Sequence, residues 1–260
     1  MDEVLKVSLV QTNTFWENAK ANLASLNSKL DQLDKDTDLV LLPEMFSTGF
    51  SVGKEGIAEK MDGQTVNWML EKASEKNCLL VGSVLIEENK KYFNRLIAAF
   101  PDGRLLHYDK RHLFSYAGED KIFAKGTKRL VFSYKGFKVC PLICYDLRFP
   151  VWARNDENYD ILIYVANWPS PRIKAWDSLL KARAIENLCY TIGLNRVGDD
   201  NNKLSYPGHS AVYDPYGECL LSFEEHEEKI KSVLLEKSAV DTVRNKFSFL
   251  DDRDDFTINL

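Results

Sequence analysis

The sequence predicts a single mixed α/β domain, and three observations support this prediction. Along the chain of 260 residues, short apolar runs typical of buried strands alternate with apolar stripes at helical spacing. Two turn motifs, Pro101-Asp102-Gly103 and Asp214-Pro215-Tyr216-Gly217, each separate two strand-like segments and therefore predict β-hairpins. Neither an internal repeat nor a linker interrupts the pattern. Residues 1–260 are therefore expected to form one domain with both hairpins and crossovers.

The first half of the chain is expected to contain five strands and two helices. Leucines recur at steps of three and four residues between Ala19 and Leu33, which is the stripe of an amphipathic helix. Val66, Met69 and Ala73 indicate a second helix in the same way. The segments expected to form strands are 5–10, 38–42, 78–86, 94–100 and 104–108.

The second half is expected to contain five further strands and one helix. The helix is indicated by the spacing of Trp176, Leu180, Ala184 and Leu188. One strand contains Pro141, which removes a ladder donor and therefore requires a bulge or an edge position. The segments expected to form strands are 137–144, 161–166, 190–194, 210–213 and 218–223.

Composition and charge argue against several functional classes. Hydrophobic residues make up 45% of the chain, which is not the composition of a disordered protein. A net charge of −5 gives no broad attraction for phosphate backbones, so no nucleic-acid partner is expected. Neither a leader nor an apolar run of about 20 residues is found, so a cytoplasmic protein without a membrane partner is expected. The cysteines and histidines show no disulfide or metal-ligand spacing, so no metal is expected.

Three predicted strands each lead to a chemically reactive side chain. Glu44 follows the apolar run 39–42, Lys110 follows the strand 104–108, and Cys144 ends the strand 137–144. Taken singly, each has an ordinary explanation: a solvated cap, a surface lysine and a small core residue. A strand end is nevertheless where α/β sheets commonly build their functional sites.

Together and in this order, the three segments resemble the carbon–nitrogen hydrolases of the nitrilase superfamily. The residues that carry the resemblance are Leu42-Pro43-Glu44, Lys110-Arg111-His112-Leu113-Phe114 and Ile143-Cys144-Tyr145-Asp146. Asn167-Trp168-Pro169 and the segment 181–187 extend it over essentially the whole chain. The resemblance implies a four-layer α-β-β-α sandwich, a small-molecule amide substrate, no cofactor, and a homodimer or higher homo-oligomer.

The resemblance also implies a role for each catalytic residue. Cys144 is expected to attack the amide carbon and form a thioester, with Glu44 as general base and then general acid. Lys110 and the backbone N–H of Tyr145 are expected to stabilise the oxyanion. Glu119 matches a second glutamate that positions the lysine and the substrate. The lysine is further expected to favour the thiolate, offsetting the effect of burial.

Two further residues after the nucleophile and the remaining cysteines receive structural interpretations. Asp146 and Arg148 are expected to support the turn that carries Cys144. The other four cysteines stand in apolar surroundings and are interpreted as packing residues: Cys78, Cys140, Cys189 and Cys219.

Within the superfamily, the chain looks most like the bacterial omega-amidases, which act on 2-oxoglutaramate and related omega-amides. The segments 43–50, 109–114, 167–169 and 194–198 carry this closer resemblance. Such a substrate has a carboxylate, for which Arg172 is the candidate cation. The residues expected to line the pocket walls are Phe46, Thr48 and Phe50 on one side and Trp168 on the other.

Several alternatives stay open at this point. An aliphatic amidase, an N-carbamoyl amino acid hydrolase or a nitrilase would use the same catalytic residues on another substrate. A nitrilase is disfavoured because its elbow usually reads Cys-Trp-Glu, whereas this chain has Cys144-Tyr145-Asp146. A binding protein without chemistry is disfavoured because all three catalytic residue types are present. Selective alkylation of Cys144 would distinguish an enzyme from such a scaffold.

Overall fold

Two six-stranded mixed β-sheets form the centre of the computed structural model, which describes residues 3–53 and 56–259. In chain order the strands are β1 (Val4–Gln11), β2 (Leu39–Leu41), β3 (Leu79–Glu88), β4 (Lys91–Ala99), β5 (Leu105–Asp109), β6 (Phe132–Tyr134), β7 (Phe137–Ile143), β8 (Ile161–Ala166), β9 (Tyr190–Asn195), β10 (Val197–Asp199), β11 (Ser205–Pro207), β12 (Ala211–Tyr213), β13 (Cys219–Ser222) and β14 (Lys229–Glu236). The α-helices are α1 (Ala19–Leu30), α2 (Gln64–Lys76), α3 (Ile173–Asn187) and α4 (Lys237–Lys246).

The two sheets have related strand orders. Sheet 1 runs β14-β1-β2-β3-β4-β5, and sheet 2 runs β13-β12-β9-β8-β7-β6. In each sheet the three central strands are parallel, namely β1-β2-β3 and β7-β8-β9, and the outer strands pair antiparallel. A separate two-stranded ribbon joins β10 and β11. The carboxyl ends of the parallel strands of both sheets therefore carry the loops in which functional residues are expected.

Side chains of sheet 1 alternate between two cores. In β2, Leu39 and Leu41 belong to the core between the sheets, whereas Val40 and the following Leu42 pack with the helices on the other face. This alternation has the period of two that a strand buried on both faces requires. The run 39–42 is therefore apolar throughout because each face of sheet 1 meets another layer.

Helices cover the outer faces of the sheets, which confirms the expected four-layer arrangement. Buried residues of α1 and α2 pack with sheet 1 in one cluster. On sheet 2, Gly193 of β9 lets α3 approach closely, because a Cβ there would lie 2.3 Å from Leu180 and 2.7 Å from Trp176. Among the described helices, none is long and apolar enough to cross a membrane.

Some element boundaries differ from the sequence-based expectation. Helix α1 ends at Leu30, because the chain turns at Asp31 although the apolar stripe runs on to Leu33. Five elements were not predicted: β6, β10, β11, β14 and α4. Pro141 lies in β7 beyond the stretch 137–139 that pairs with β6, so its missing N–H interrupts no pairing with that strand. The strand itself is not at the edge of the sheet, because β6 lies outside it, but at Pro141 β7 is paired only with β8.

Candidate active site

Four buried polar side chains converge at the carboxyl ends of strands from both sheets. Glu44 lies just after β2, Lys110 directly follows β5, and Glu119 begins a short 3-10 turn, Glu119–Lys121. Cys144 follows β7 and begins a second 3-10 turn, Cys144–Arg148. The exposed fraction is 0% for Glu44 and Glu119, 1% for Lys110 and 9% for Cys144. The four residues singled out from the sequence are thus brought into one enclosed site.

The Lys110 ammonium is held by the two glutamates. Its Nζ lies 2.8 Å from Glu44 Oε1 and 3.1 and 3.0 Å from the two carboxylate oxygens of Glu119. The backbone N–H of Phe114 donates to Glu119 Oε2 at 2.5 Å. The Glu119 carboxylate is therefore held between the Lys110 ammonium and the Phe114 N–H, which is the contact that its expected positioning role requires.

Two asparagines hold the carboxylate of Glu44. Asn94 Nδ2 donates to Glu44 Oε1 at 2.8 Å and lies 3.3 Å from Glu119 Oε1. Asn167 donates its backbone N–H to Glu44 Oε2 at 2.8 Å and its Nδ2 to the Glu44 carbonyl at 2.7 Å. Sequence reasoning did not identify Asn94, and the only signal was a polar residue inside the apolar strand β4. Both oxygens of Glu44 are therefore occupied by donors that fix its orientation.

Cys144 stands on a strained turn. Its φ of +43° lies in the left-handed region, which costs a residue other than glycine about 1–3 kcal/mol. Its thiol Sγ lies 3.9 Å from the carbonyl oxygen of Asn167, which can accept its proton in a hydrogen bond. The next backbone N–H, that of Tyr145, belongs to the first residues of a helical turn, whose N–H groups have no partner within the turn. A backbone N–H without a partner within the turn is thus adjacent to the thiol.

The site favours a protonated thiol at rest. Burial raises the pKa of Cys144 well above its usual value, and the charge of Glu44 raises it further, whereas the Lys110 ammonium lowers it. With two carboxylates and one ammonium already enclosed, a thiolate would be a third negative charge in a low-dielectric site. The lysine favours the thiolate as expected, but burial and Glu44 outweigh it, so a base must take the proton during attack.

Burial and the neighbouring charges shift the pKa values of Lys110 and Glu119 for different reasons. Burial alone would lower the pKa of Lys110, but the charges of Glu119 and Glu44 outweigh it and raise this pKa. Burial raises the pKa of Glu119, and repulsion by Glu44 adds to it while the Lys110 ammonium opposes it. The lysine therefore keeps its positive charge throughout the working pH range.

A cavity of about 480 Å³ opens above Glu44, Lys110 and Cys144. As expected, Phe50, Trp168 and Arg172 line it, and so does Tyr145. The remaining lining residues are Trp16, Glu17, Ser51, Val52, Gly53, Phe114, Ala117, Arg148, Asn167, Pro169, Asp200, Asn202, Leu204 and Tyr206. The volume is in the range of small-molecule sites.

Phe46 and Thr48 do not line this cavity, contrary to expectation. The chain turns sharply at Met45, whose φ is +46°, and Phe46 then packs on Trp68 of α2 with ring centroids 5.9 Å apart. Thr48 is 2% exposed, and its hydroxyl donates to the Gly49 carbonyl at 3.0 Å. The left-handed turn that directs Phe46 to the helix layer has no signature in the residue types around Glu44.

The residues after the nucleophile divide into two roles. Asp146 is fully buried and accepts a hydrogen bond from the Ile143 N–H at 3.1 Å, so it supports the turn as expected. Arg148 instead lines the cavity, with its guanidinium carbon 5.0 Å from the Trp168 ring centroid. Sequence reasoning therefore missed a second cation in the pocket wall.

The other cysteines differ in exposure. Cys78, Cys140 and Cys189 are buried, and burial raises the pKa of Cys78 to about 11 and that of Cys189 to about 12. Cys219 is exposed, because it lies on β13 at the edge of sheet 2. Its interpretation as a packing residue is wrong, and it is a second thiol that reagents can reach.

Comparison with known proteins decides the family of the chain. A family model for carbon–nitrogen hydrolases matches residues 6–245. The chain belongs to the carbon–nitrogen hydrolase family. It is therefore a hydrolase that acts on carbon–nitrogen bonds other than peptide bonds.

Similar proteins span nearly the whole of this carbon–nitrogen hydrolase. The omega-amidase YafV of Escherichia coli (strain K12) is 40% identical over 254 residues, covering 98% of each chain. The 2-oxoglutaramate amidase of Bacillus subtilis (strain 168) is 30% identical over 252 residues, covering 95% of this chain and 96% of that protein. The crystal structure of XC1258 from Xanthomonas campestris, a CN-hydrolase superfamily protein with an arsenic adduct in its active site, superposes with a TM-score of 0.95 at 42% identity, covering 98% of this chain and 99% of that chain.

Proposed function

We propose that this hydrolase is an omega-amidase that converts small 2-oxo acid amides, such as 2-oxoglutaramate and 2-oxosuccinamate, to the acid and ammonia. The proposal assigns Cys144 as nucleophile, Glu44 as proton carrier, Lys110 as oxyanion partner and Glu119 as the group that positions the lysine. Relatives named omega-amidase and 2-oxoglutaramate amidase, 40% and 30% identical respectively, support this substrate class.

The charge balance of the cavity carries the proposal for the substrate. Arg148 and Arg172 line the wall, with their guanidinium carbons 5.0 Å from the ring centroids of Trp168 and Phe114. Among residues 3–53 and 56–259, neither guanidinium has a carboxylate partner within salt-bridge distance. Two free guanidinium groups suit a substrate carboxylate, because their planar donors bind its two oxygens together.

The acidic residues of the same cavity are already engaged. Glu17 Oε1 accepts a hydrogen bond from the Ser51 hydroxyl at 2.5 Å. Asp200 accepts from the Tyr206 hydroxyl at 3.0 Å and from two backbone N–H groups, at 2.8 and 2.9 Å. Asp200 Oδ1 therefore already accepts two backbone donors, whereas Glu17 accepts one neutral hydroxyl at Oε1. Glutamine and asparagine in the substrate panel test whether the cavity accepts an α-ammonium group.

The proposed acylation uses the residues of the buried cluster. Glu44 takes the thiol proton as Cys144 Sγ bonds to the amide carbon, and the carbonyl oxygen becomes an oxyanion. The Lys110 ammonium and the Tyr145 N–H stabilise this oxyanion, and one such donor contributes about 3 kcal/mol. Glu44 then returns the proton to nitrogen, the carbon–nitrogen bond breaks, and ammonia leaves a thioester.

In deacylation Glu44 again takes and returns a proton, with water as the donor and the sulfur of Cys144 as the acceptor. Glu44 takes a proton from water as its oxygen bonds to the thioester carbon, and the same two donors stabilise the second oxyanion. The carbon–sulfur bond then breaks, Glu44 returns the proton to sulfur, and the acid leaves. Neither a cofactor nor a metal enters this scheme. The homodimer and the cytoplasmic location expected from the sequence stay predictions.

Ammonia release from a substrate panel tests the proposed function. The panel contains 2-oxoglutaramate and 2-oxosuccinamate, with glutamine, asparagine, a neutral aliphatic amide, an N-carbamoyl amino acid and a nitrile as comparisons. We expect rapid turnover of the two oxo-amides only. Equal or faster turnover of the neutral amide or the carbamoyl compound would instead assign an aliphatic amidase or an N-carbamoyl amino acid hydrolase.

A further inference from the structure

One buried carboxylate joins the segment that carries Lys110 to the turn that carries Cys144. Asp146 is 0% exposed and lies two residues after the nucleophile. Its Oδ2 accepts hydrogen bonds from the Ile143 N–H at 3.1 Å and from the Tyr108 hydroxyl at 2.8 Å. Its Oδ1 accepts from the His112 N–H at 3.0 Å and from His112 Nδ1 at 2.8 Å. Three of these four donors therefore belong to the lysine segment.

The donors lie on both sides of Lys110 along the chain. Tyr108 is two residues before the lysine and His112 is two residues after it. The Tyr108 hydroxyl also accepts from the Arg111 N–H at 3.1 Å and from Trp152 Nε1 at 3.0 Å. The backbone that carries the lysine is thus anchored on either side by the same carboxylate.

These bonds connect the two sheets. Lys110 follows β5 of sheet 1, whereas Cys144 and Asp146 follow β7 of sheet 2. The thiol and the ammonium therefore stand on separate layers, and apolar packing between layers fixes distances less exactly than hydrogen bonds do. A shift of about 1 Å between reacting groups can cost about 100-fold in rate.

We propose that Asp146 is a positioning residue, whose carboxylate sets the position of the Lys110 ammonium relative to Cys144 Sγ. Asp146 does not line the cavity and touches no substrate. The inference rests on the proposed function only in taking Cys144 as the nucleophile and Lys110 as its cationic partner.

The variant Asp146→Asn tests the inference, because its amide keeps the size of the side chain but replaces one acceptor oxygen by a donor. We expect kcat for the oxo-amide to fall about 10- to 100-fold, with KM unchanged within about threefold, since the substrate-binding wall is untouched. Wild-type kcat in the folded variant would overturn the inference.

Asp160→Asn is the matched control. Asp160 is 3% exposed, lies at the other end of β7 and β8, and accepts from the Lys138 N–H at 2.9 Å and from Arg244 at 3.0 Å. Its loss should lower the melting temperature while kcat stays within about twofold of wild type. An equal fall of kcat in both variants would reduce Asp146 to a merely structural role and overturn the inference.

Alkylation of Cys144 by iodoacetamide gives a readout that requires no substrate. It is measured in a Cys219→Ser background, because Cys219 is exposed. If Asp146 acted through its charge alone, Asp146→Asn would ease thiolate formation and speed alkylation. If it holds the lysine in place, alkylation slows, because the Lys110 ammonium lowers the pKa of the thiol. Faster or unchanged alkylation overturns the inference, even if no amide of the panel is hydrolysed.

If Asp146→Asn does not fold, Tyr108→Phe is the variant that tests the inference in its place. The substitution removes the hydroxyl, and with it one of the three bonds from the lysine segment to Asp146 and the acceptor of the Arg111 N–H and of Trp152 Nε1. We expect a smaller fall of kcat and of the alkylation rate in the same direction, about three- to tenfold. Wild-type values for both would contradict the inference.

Discussion

Lys110 Nζ and Glu44 Oε1 lie 2.8 Å apart in a site where both side chains are almost completely buried. The residues are separated by 66 positions along the chain and follow different strands of sheet 1. Since Glu44 also accepts bonds from two asparagines, its carboxylate has little freedom to rotate. The ion pair therefore fixes the proposed base and the proposed oxyanion partner together.

The nucleophile gives the most direct prediction. Cys144→Ala should abolish ammonia release while the melting temperature stays close to wild type, because the change removes a single sulfur atom whose contact with the Asn167 carbonyl oxygen is long, at 3.9 Å. Cys219→Ser is the control and should keep full activity, since Cys219 is exposed on β13 away from the cavity. Turnover by a clean Cys144→Ala preparation would refute the thioester mechanism.

Asn94 was found only in the structure, and its amide should matter for rate. Asn94→Ala removes donors from both Glu44 and Glu119, so we expect kcat to fall about tenfold or more. Asn187→Ala is the matched control, because this buried asparagine bonds to Asn155 far from the cavity. It should lower thermal stability and leave kcat unchanged. If both variants lowered kcat equally, Asn94 would have no specific role in orienting Glu44.

The two free guanidinium groups predict a change in substrate affinity. Arg148→Gln and Arg172→Gln should each raise KM for the oxo-amide about tenfold or more, since each removes a charged hydrogen bond to the carboxylate. Hydrolysis of a neutral amide of the same length, measured in parallel, should not change. If KM is unaffected in both variants, the carboxylate binds elsewhere and the proposed substrate loses its structural support.

The pKa of Glu119 predicts how the free energy of unfolding depends on pH. Burial and the charge of Glu44 raise the pKa of Glu119 in the folded protein above its usual value of 4.5. The protonated carboxyl therefore adds to the free energy of unfolding below about pH 4.5, and this contribution is lost as the pH rises through the folded-state pKa. Glu119→Gln should therefore lower kcat but gain free energy of unfolding relative to wild type as pH rises from about 4.5 to 7. Melting temperatures over this range check the sign, and a difference that shrinks toward neutral pH would contradict it.

Periodicity and turn chemistry predicted most of the strands and helices, because they report local geometry, whereas the four-layer arrangement was implied by the family resemblance. The apolar run 39–42, for example, must be buried on both faces, and a strand between helices and a second sheet satisfies this. Strand β14 was missed because it lies at an edge and is half-exposed, so its residues alternate poorly between polar and apolar. Edge elements generally leave a weaker pattern in the sequence.

The catalytic residues were predictable for a different reason than the pocket walls. Glu44, Lys110 and Cys144 stand in distinctive motifs, whereas the direction of Phe46 depends on the left-handed turn at Met45. Arg148 was assigned to the turn and not to the cavity, because the sequence does not say which way a side chain points after a 3-10 turn. Assigning residues to the wall of the cavity therefore requires the three-dimensional structure.

The complete burial of Glu44 has a consequence for the flow of protons during turnover. In the proposed cycle, the proton taken from the thiol departs with ammonia, and the proton that restores the thiol comes from the attacking water. Each half of the cycle leaves Glu44 unprotonated, as it was at the start of that half, so no relay to bulk solvent is needed. At constant pH, kcat should therefore not depend on the concentration of the buffer.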